Sequence, residues 1–125
     1  PFKRVRGVDF SARLISVANE NLLAGRDHLR RCTEIDFVCA DILSLPPHSE
    51  PTVYYLFNPF RAPVLDKFVR QLDVSLRQSP RSTYIVYYYP AARRILDTHT
   101  AFKVQTAGPD YLIYRWIGGD SAVDD

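Results

Sequence analysis

Short apolar runs alternate along this chain with stretches of helical periodicity. The clearest run is residues 53–60, VYYLFNPF, which is β-branched and aromatic and breaks off in Asn58, Pro59 and Phe60. Bounded by Pro51 and Pro59, it predicts a strand over 53–57 buried on both faces, as in a parallel sheet covered by helices. In open α/β sheets a ligand sits beyond the carboxyl ends of the strands, so chemistry is expected at the polar Asn58.

The same pattern organises the rest. Residues 4–10 (RVRGVDF) alternate basic and apolar and predict a short strand. Ser11 is a candidate N-cap, and Leu14, Val17, Ala18, Asn21 and Leu22 share one face. Residues 12–23 therefore predict an amphipathic helix, which Gly25 is placed to stop. Residues 35–39 (IDFVC) predict a second strand, and the three prolines of 44–52 mark a loop. Pro63 suits the first turn of a helix running to about Arg77, with Val64, Leu65, Phe68, Val69, Leu72 and Leu76 at helical spacing. Residues 83–89 (TYIVYYY) are strongly β-prone and stop at Pro90, and 91–97 predicts a short helix. Two further strands, 102–106 and 111–117, are joined too tightly for a parallel crossover, so they predict an antiparallel hairpin. This alternation argues for an α/β fold, a mostly parallel sheet with one antiparallel strand near its C-terminal end.

Composition narrows the class without naming a ligand. The 125 residues suit one domain, and 46% hydrophobic with 24% charged residues is ordinary for a globular protein. A net charge of +2 does not argue for nucleic acid, and solvated helix ends account for Arg93–Arg94 and for the cluster Arg26, Arg30 and Arg31. Cys32 and Cys39 have neither the spacing nor the neighbours of a metal site, and Cys39 is expected as a buried free thiol. With no secretory signal and no bilayer-length apolar stretch, a cytoplasmic location is the default, and no membrane partner is expected. The chain opens Pro1-Phe2 without a Met, which suggests the later part of a longer protein.

Three strand ends carry a polar residue with no packing role: Asp9, Asp41 and Asn58. An acid after a strand can accept hydrogen bonds from both ribose hydroxyls of a nucleotide-like cofactor. An acid after the next strand can accept from an adenine amine, and an amide can orient an amino or hydroxyl group. Plainer readings compete: Asp9 as a helix-start carboxylate, Asp41 as an Asx-turn residue, Asn58 as a turn former before Pro59.

These residues resemble a class I S-adenosylmethionine-dependent methyltransferase from its second strand to its last. RVRGVDFSARL resembles the second strand and following helix, FVCADIL the next strand, LFNPF the fourth-strand motif, and TYIVYYYP the fifth strand. The closing hairpin resembles the sixth and seventh strands. The resemblance implies a Rossmann-like three-layer sandwich lacking its first strand, with residues 1–118 a partial methyltransferase domain and 119–125 a flexible acidic tail. It implies S-adenosylmethionine as cofactor, bound by Asp9 on the ribose, with Phe10 beside it among the cofactor-binding residues, and by Asp41 and Ile42 around the adenine. Asn58, Pro59 and Phe60 would face the transferred methyl group and an unidentified methyl-acceptor substrate.

Two departures limit the resemblance. The family's glycine-rich loop has no counterpart among the five glycines, and would lie before Pro1. Amino-methylating members that act on adenine or glutamine carry two prolines and an aromatic after the Asn or Asp, whereas Asn58 is followed by one proline. Without the family's first strand, the sheet is expected either to split into a pair of strands and a block of four, with a gap one strand wide, or to pair strand 4–8 directly with strand 53–57. Two alternatives stand beside methyl transfer. One is a nicotinamide-dependent oxidoreductase, which would also use an acid after its second strand; the other is a non-catalytic fragment or interaction module retaining the fold. The five tyrosines Tyr84, Tyr87, Tyr88, Tyr89 and Tyr111 suit packing under helices better than base stacking.

Overall fold

The computed structural model describes residues 2–25, 34–57 and 61–119. The chain divides into two compact units, Pro1–Leu45 and Pro46–Asp125, with the divide inside the proline-rich loop.

The first unit contains β1 (Arg4–Asp9), α1 (Ala12–Ala24), β2 (Glu34–Cys39) and a 3-10 turn at Ile42–Ser44. β1 and β2 pair in parallel, in a register that sets Arg6 opposite Asp36 and Asp9 opposite Cys39. The register has a polar clamp: Arg6 donates to Asp36 through Nε at 3.0 Å and Nη2 at 2.7 Å. That bidentate bond holds the Asp36 carboxyl below the usual carboxylate range. Ser11 caps α1 as its sequence position predicts, its Oγ accepting from Leu14 N–H at 3.3 Å. Gly25 ends the helix, donating to Leu22 O at 3.3 Å.

The buried face of α1 differs from the expected one. No α1 residue is fully buried; Leu14 and Val17 are exposed, and Ile15, Ala18 and Leu22 are the half-covered positions. A helix over two strands has too little partner surface to bury a full apolar stripe. Cys39 is likewise an exposed free thiol rather than a buried one. It closes the strand, and its Sγ lies 3.5 Å from Phe10 O.

The second unit contains β3 (Thr52–Phe57), α2 (Ala62–Gln78), β4 (Thr83–Tyr88), α3 (Arg93–Asp97), β5 (Phe102–Ala107) and β6 (Tyr111–Trp116). Its sheet order is β3-β4-β6-β5, with β3 parallel to β4 and β6 antiparallel to both of its neighbours. The hairpin expected at the end of the chain is therefore present, and its second strand is inserted between β4 and β5. The described residues thus form a two-stranded and a four-stranded sheet, the first of the two arrangements expected.

α2 lays Leu65, Phe68, Val69, Leu72 and Leu76 into the core, the apolar stripe expected apart from Val64, which is only half covered. Opposite them Leu56, Ile85, Tyr87, Leu112 and Tyr114 alternate inward along the strands, as a period of two requires. Tyr54 meets Phe68 edge-on, with centroids 5.4 Å apart. Two half-buried polar bonds tie the layers. Trp116 Nε1 donates to Asp73 Oδ1 at 2.8 Å, and the Tyr114 hydroxyl donates to Asp97 Oδ1 at 2.7 Å.

The expectation that β3 is buried on both faces is corrected. Its inward residues are covered, but Val53, Tyr55 and Phe57 on the other face are 40%, 62% and 56% exposed. Apolar composition alone cannot separate a doubly covered strand from one that pairs and packs on a single side.

Candidate functional site

In the first unit, the two acids expected to hold a cofactor stand at the same end of adjacent parallel strands. Asp9 ends β1, and Asp41 follows β2 by two residues. Parallel pairing carries both strands out at one edge, and the β1–β2 ladder extends one bond further there, from Ala40 N–H to Asp9 O at 3.0 Å. The β1–α1–β2 connection thus places the two side chains in neighbouring turns.

Each carboxylate also performs a local task. Asp9 Oδ1 accepts from Ser11 N–H at 2.7 Å, and Asp41 Oδ1 accepts from Leu43 N–H at 3.0 Å. Both are Asx-type bonds that organise the following turn, so the plainer readings of Asp9 and Asp41 are realised in the structure. They do not exhaust the groups. A carboxylate has two acceptor oxygens with about four lone-pair sites, and among the described residues no hydrogen bond forms to Oδ2 of either. The local bonds fix the carboxylates in place and leave acceptor capacity beyond the strand ends.

Their neighbours differ in exposure. Phe10 is 82% exposed, and Ile42 is half-buried at the start of the 3-10 turn. Ser44 closes that turn, donating from its hydroxyl to Asp41 O at 2.6 Å and from its N–H to the same oxygen at 2.9 Å.

In the second unit, Asn58, Pro59 and Phe60 lie outside the described residues. The strand that leads into them is described to its last residue. There the Phe57 ring stacks on Tyr88 with centroids 5.5 Å apart and planes 21° apart, and Tyr89 meets both rings edge-on. The interaction with the Tyr89 hydroxyl raises the Tyr88 phenol above its ordinary value.

This group, at the carboxyl ends of β3 and β4, holds two of the five tyrosines expected to pack under helices, and of these Tyr89 is exposed instead. Strand 83–89 was expected to run through Tyr89, but β4 stops at Tyr88, and Tyr89 turns with φ of 50°. Its N–H donates to Asp110 O at 2.8 Å, which pins the turn to the loop before β6. Pro90 could not have given this away, because the residue before a proline is ordinarily extended.

No family model matches the chain, and no curated protein matches it. Among solved structures it is similar to the 23S rRNA methyltransferase ErmE, with a TM-score of 0.48 and 16% identity, over 90% of this chain and 51% of that one. It is also similar to a putative methyltransferase from Pseudomonas syringae, with a TM-score of 0.49 and 13% identity, over 91% of this chain and 72% of that one. The chain thus spans about half the length of the first of these.

Proposed function

We propose that this chain belongs to an S-adenosylmethionine-dependent methyltransferase and contributes its nucleoside-binding acids. The observation that supports this reading is the pairing of Asp9 and Asp41 at the common end of two adjacent parallel strands. Both are acceptor-only groups, as two ribose hydroxyls and an exocyclic amine, all donors, require. In this reading Asp9 and Phe10 hold the ribose, Asp41 accepts from the adenine amine, and Ile42 packs beside the base.

The bound cofactor would supply a methyl group on a good leaving group, and the protein's part is then orientation. Asn58 would fix the acceptor atom through its amide, aided by the Pro59 carbonyl, while Phe60 walls the site from water. The methyl group would pass to a lone pair of the acceptor with the thioether as leaving group, and the acceptor's proton would go to solvent.

Calorimetric titration of S-adenosylmethionine into this chain tests the reading. Binding that Asp9→Ala weakens more than Asn58→Ala supports the assignment. A chain that binds neither S-adenosylmethionine nor S-adenosylhomocysteine, yet stays folded, favours the non-catalytic module instead. Binding of a nicotinamide dinucleotide through Asp9 would favour the oxidoreductase.

A further inference from the structure

We propose that Asp110, Tyr88 and Tyr89 form the acceptor side of the methyl-transfer site and select an aliphatic amine that arrives as its ammonium. The inference rests on the methyltransferase reading and adds a substrate class to it. The sheet register brings the parts to one edge of the second unit. Tyr88, the last residue of β4, stands opposite Phe57, the residue before Asn58, and on its other side opposite Tyr111. β6 runs antiparallel to β4, so the turn before Tyr111 opens at the carboxyl ends of β3 and β4. Asp110 therefore shares the edge at which β3 leads into Asn58.

The group has the parts that recognise a cation. Asp110 holds the turn with its backbone, its carbonyl accepting from Tyr89 N–H at 2.8 Å, so the turn does not use its carboxylate. Among the described residues that carboxylate has no hydrogen bond or ion pair, whereas Asp66, Asp73 and Asp97 each hold an arginine. The Tyr89 hydroxyl leads the rise of the Tyr88 phenol, and Asp110 lies near enough to add to it. Tyr89 stands at 72° to Tyr88 and 88° to Phe57, and it is 50% exposed. An aromatic face beside a free carboxylate attracts an ammonium and gives a neutral acceptor much less.

The charge balance of the transfer fits this edge. The bound ammonium first gives one proton to water, which frees the nitrogen lone pair. That pair forms the N–C bond to the methyl group, and the C–S electron pair departs with the sulfur. Positive charge thus passes from sulfur to nitrogen, and the product is the N-methylammonium. Asp110 and the tyrosine rings face the charge that builds on nitrogen during transfer, where a fixed counter-charge lowers the barrier. A hydroxyl acceptor ends neutral once its proton is lost and gains less from them.

Nuclear magnetic resonance titration of the chain with butylammonium, and with 1-pentanol as a neutral match in size, tests the site without turnover. Butylammonium should shift the resonances of Tyr88, Tyr89 and Asp110 and bind roughly tenfold more tightly than 1-pentanol. Asp110→Asn keeps the backbone carbonyl for Tyr89 and should weaken butylammonium about threefold. Tyr89→Asn removes the ring at a position where Asn tolerates positive φ, and should weaken it about as much. Asp66→Asn, on the exposed side of α2, should change nothing. Equal binding of the two probes, shifts confined to other residues, or indifference to Asp110→Asn would each overturn the assignment. Titrating S-adenosylmethionine into the same samples separates this inference from the reading beneath it. Cofactor binding without butylammonium binding overturns the amine assignment alone. Butylammonium binding without cofactor binding supports the cation site and overturns methyl transfer.

Discussion

The Tyr114 hydroxyl donates to Asp97 Oδ1 at 2.7 Å, joining the middle of β6 to the last residue of α3. Asp97 also takes Arg93 Nε at 2.7 Å on its other oxygen. Burial works to raise the Asp97 pKa, but the bonds from Arg93 and Tyr114 prevail and hold it below the usual aspartate value. Burial, then the bond to Asp97, push the Tyr114 phenol well above its ordinary value.

The two groups act on opposite limbs of the pH profile. A depressed acid contributes fully above its unfolded pKa of about 4, and the contribution is lost as pH falls through the folded value. A raised phenol contributes fully below about pH 10 and is lost as pH rises through its folded value. Denaturant midpoints measured from pH 2 to 11 should therefore show both limbs. Asp97→Asn should flatten the acid limb, and Tyr114→Phe should flatten the alkaline one.

Trp116 should be worth more as a donor than its position near the end of a strand suggests. Its indole N–H reaches Asp73 Oδ1 at 2.8 Å, while Asp73 Oδ2 takes Arg77 Nε at 3.0 Å. Bonds to a charged, largely covered acceptor are worth about 1.5–3 kcal/mol, so Trp116→Phe should cost on the order of 2 kcal/mol in urea unfolding. Asp73→Ala should cost at least as much. The double variant should fall short of the sum, because both remove one bond.

Asp9 offers a substitution that separates its two tasks. Asp9→Asn keeps a side-chain oxygen for the Ser11 N–H but removes the charge. If Asp9 only shapes the turn, Asn should be nearly neutral, and Ala should cost about 0.5–2 kcal/mol of stability. If it also binds a nucleoside, Asn should weaken S-adenosylmethionine binding at least about tenfold with little change in melting temperature.

Tyr89 sits at a φ that L-residues adopt at a cost of roughly 1–2 kcal/mol. Its ring contacts with Phe57 and Tyr88 return about 0.5–1.5 kcal/mol each, and less for a half-exposed ring. These nearly cancel, so Tyr89→Gly should leave the melting temperature within a few degrees of the parent. Tyr88→Gly, inside the strand, should lower it clearly.

Periodicity was enough for the elements that bury a continuous face. α2 and its five buried residues follow from spacing alone, and the tight connection before Tyr111 foretold the antiparallel hairpin. Ser11 and Gly25 bounded α1 correctly, because capping is a local affair. What failed was coverage. The sequence cannot say how much partner surface a stripe or strand will meet, so α1, Cys39 and the outward face of β3 came out more exposed than their composition suggests. The chemistry of Asp9 and Asp41 was legible as a pair of acids after strands. Their Asx bonds were equally legible, since the same short side chain serves both. Tyr89 was not legible, because its turn is held by Asp110, twenty-one positions later.

The place of β6 in its sheet has a consequence for biosynthesis. β6 is the last of the four strands to be synthesised, yet it lies between β4 and β5. Until Tyr111–Trp116 has left the ribosome, β4 lacks one neighbour and β5 lacks the one partner it has among the described strands. Tyr114 and Trp116, which tie α3 and α2 to the sheet, arrive with it. The nascent second unit therefore waits, apolar strands unpaired, for a single six-residue segment, and its window for chaperone capture or misassembly closes when that segment slots in.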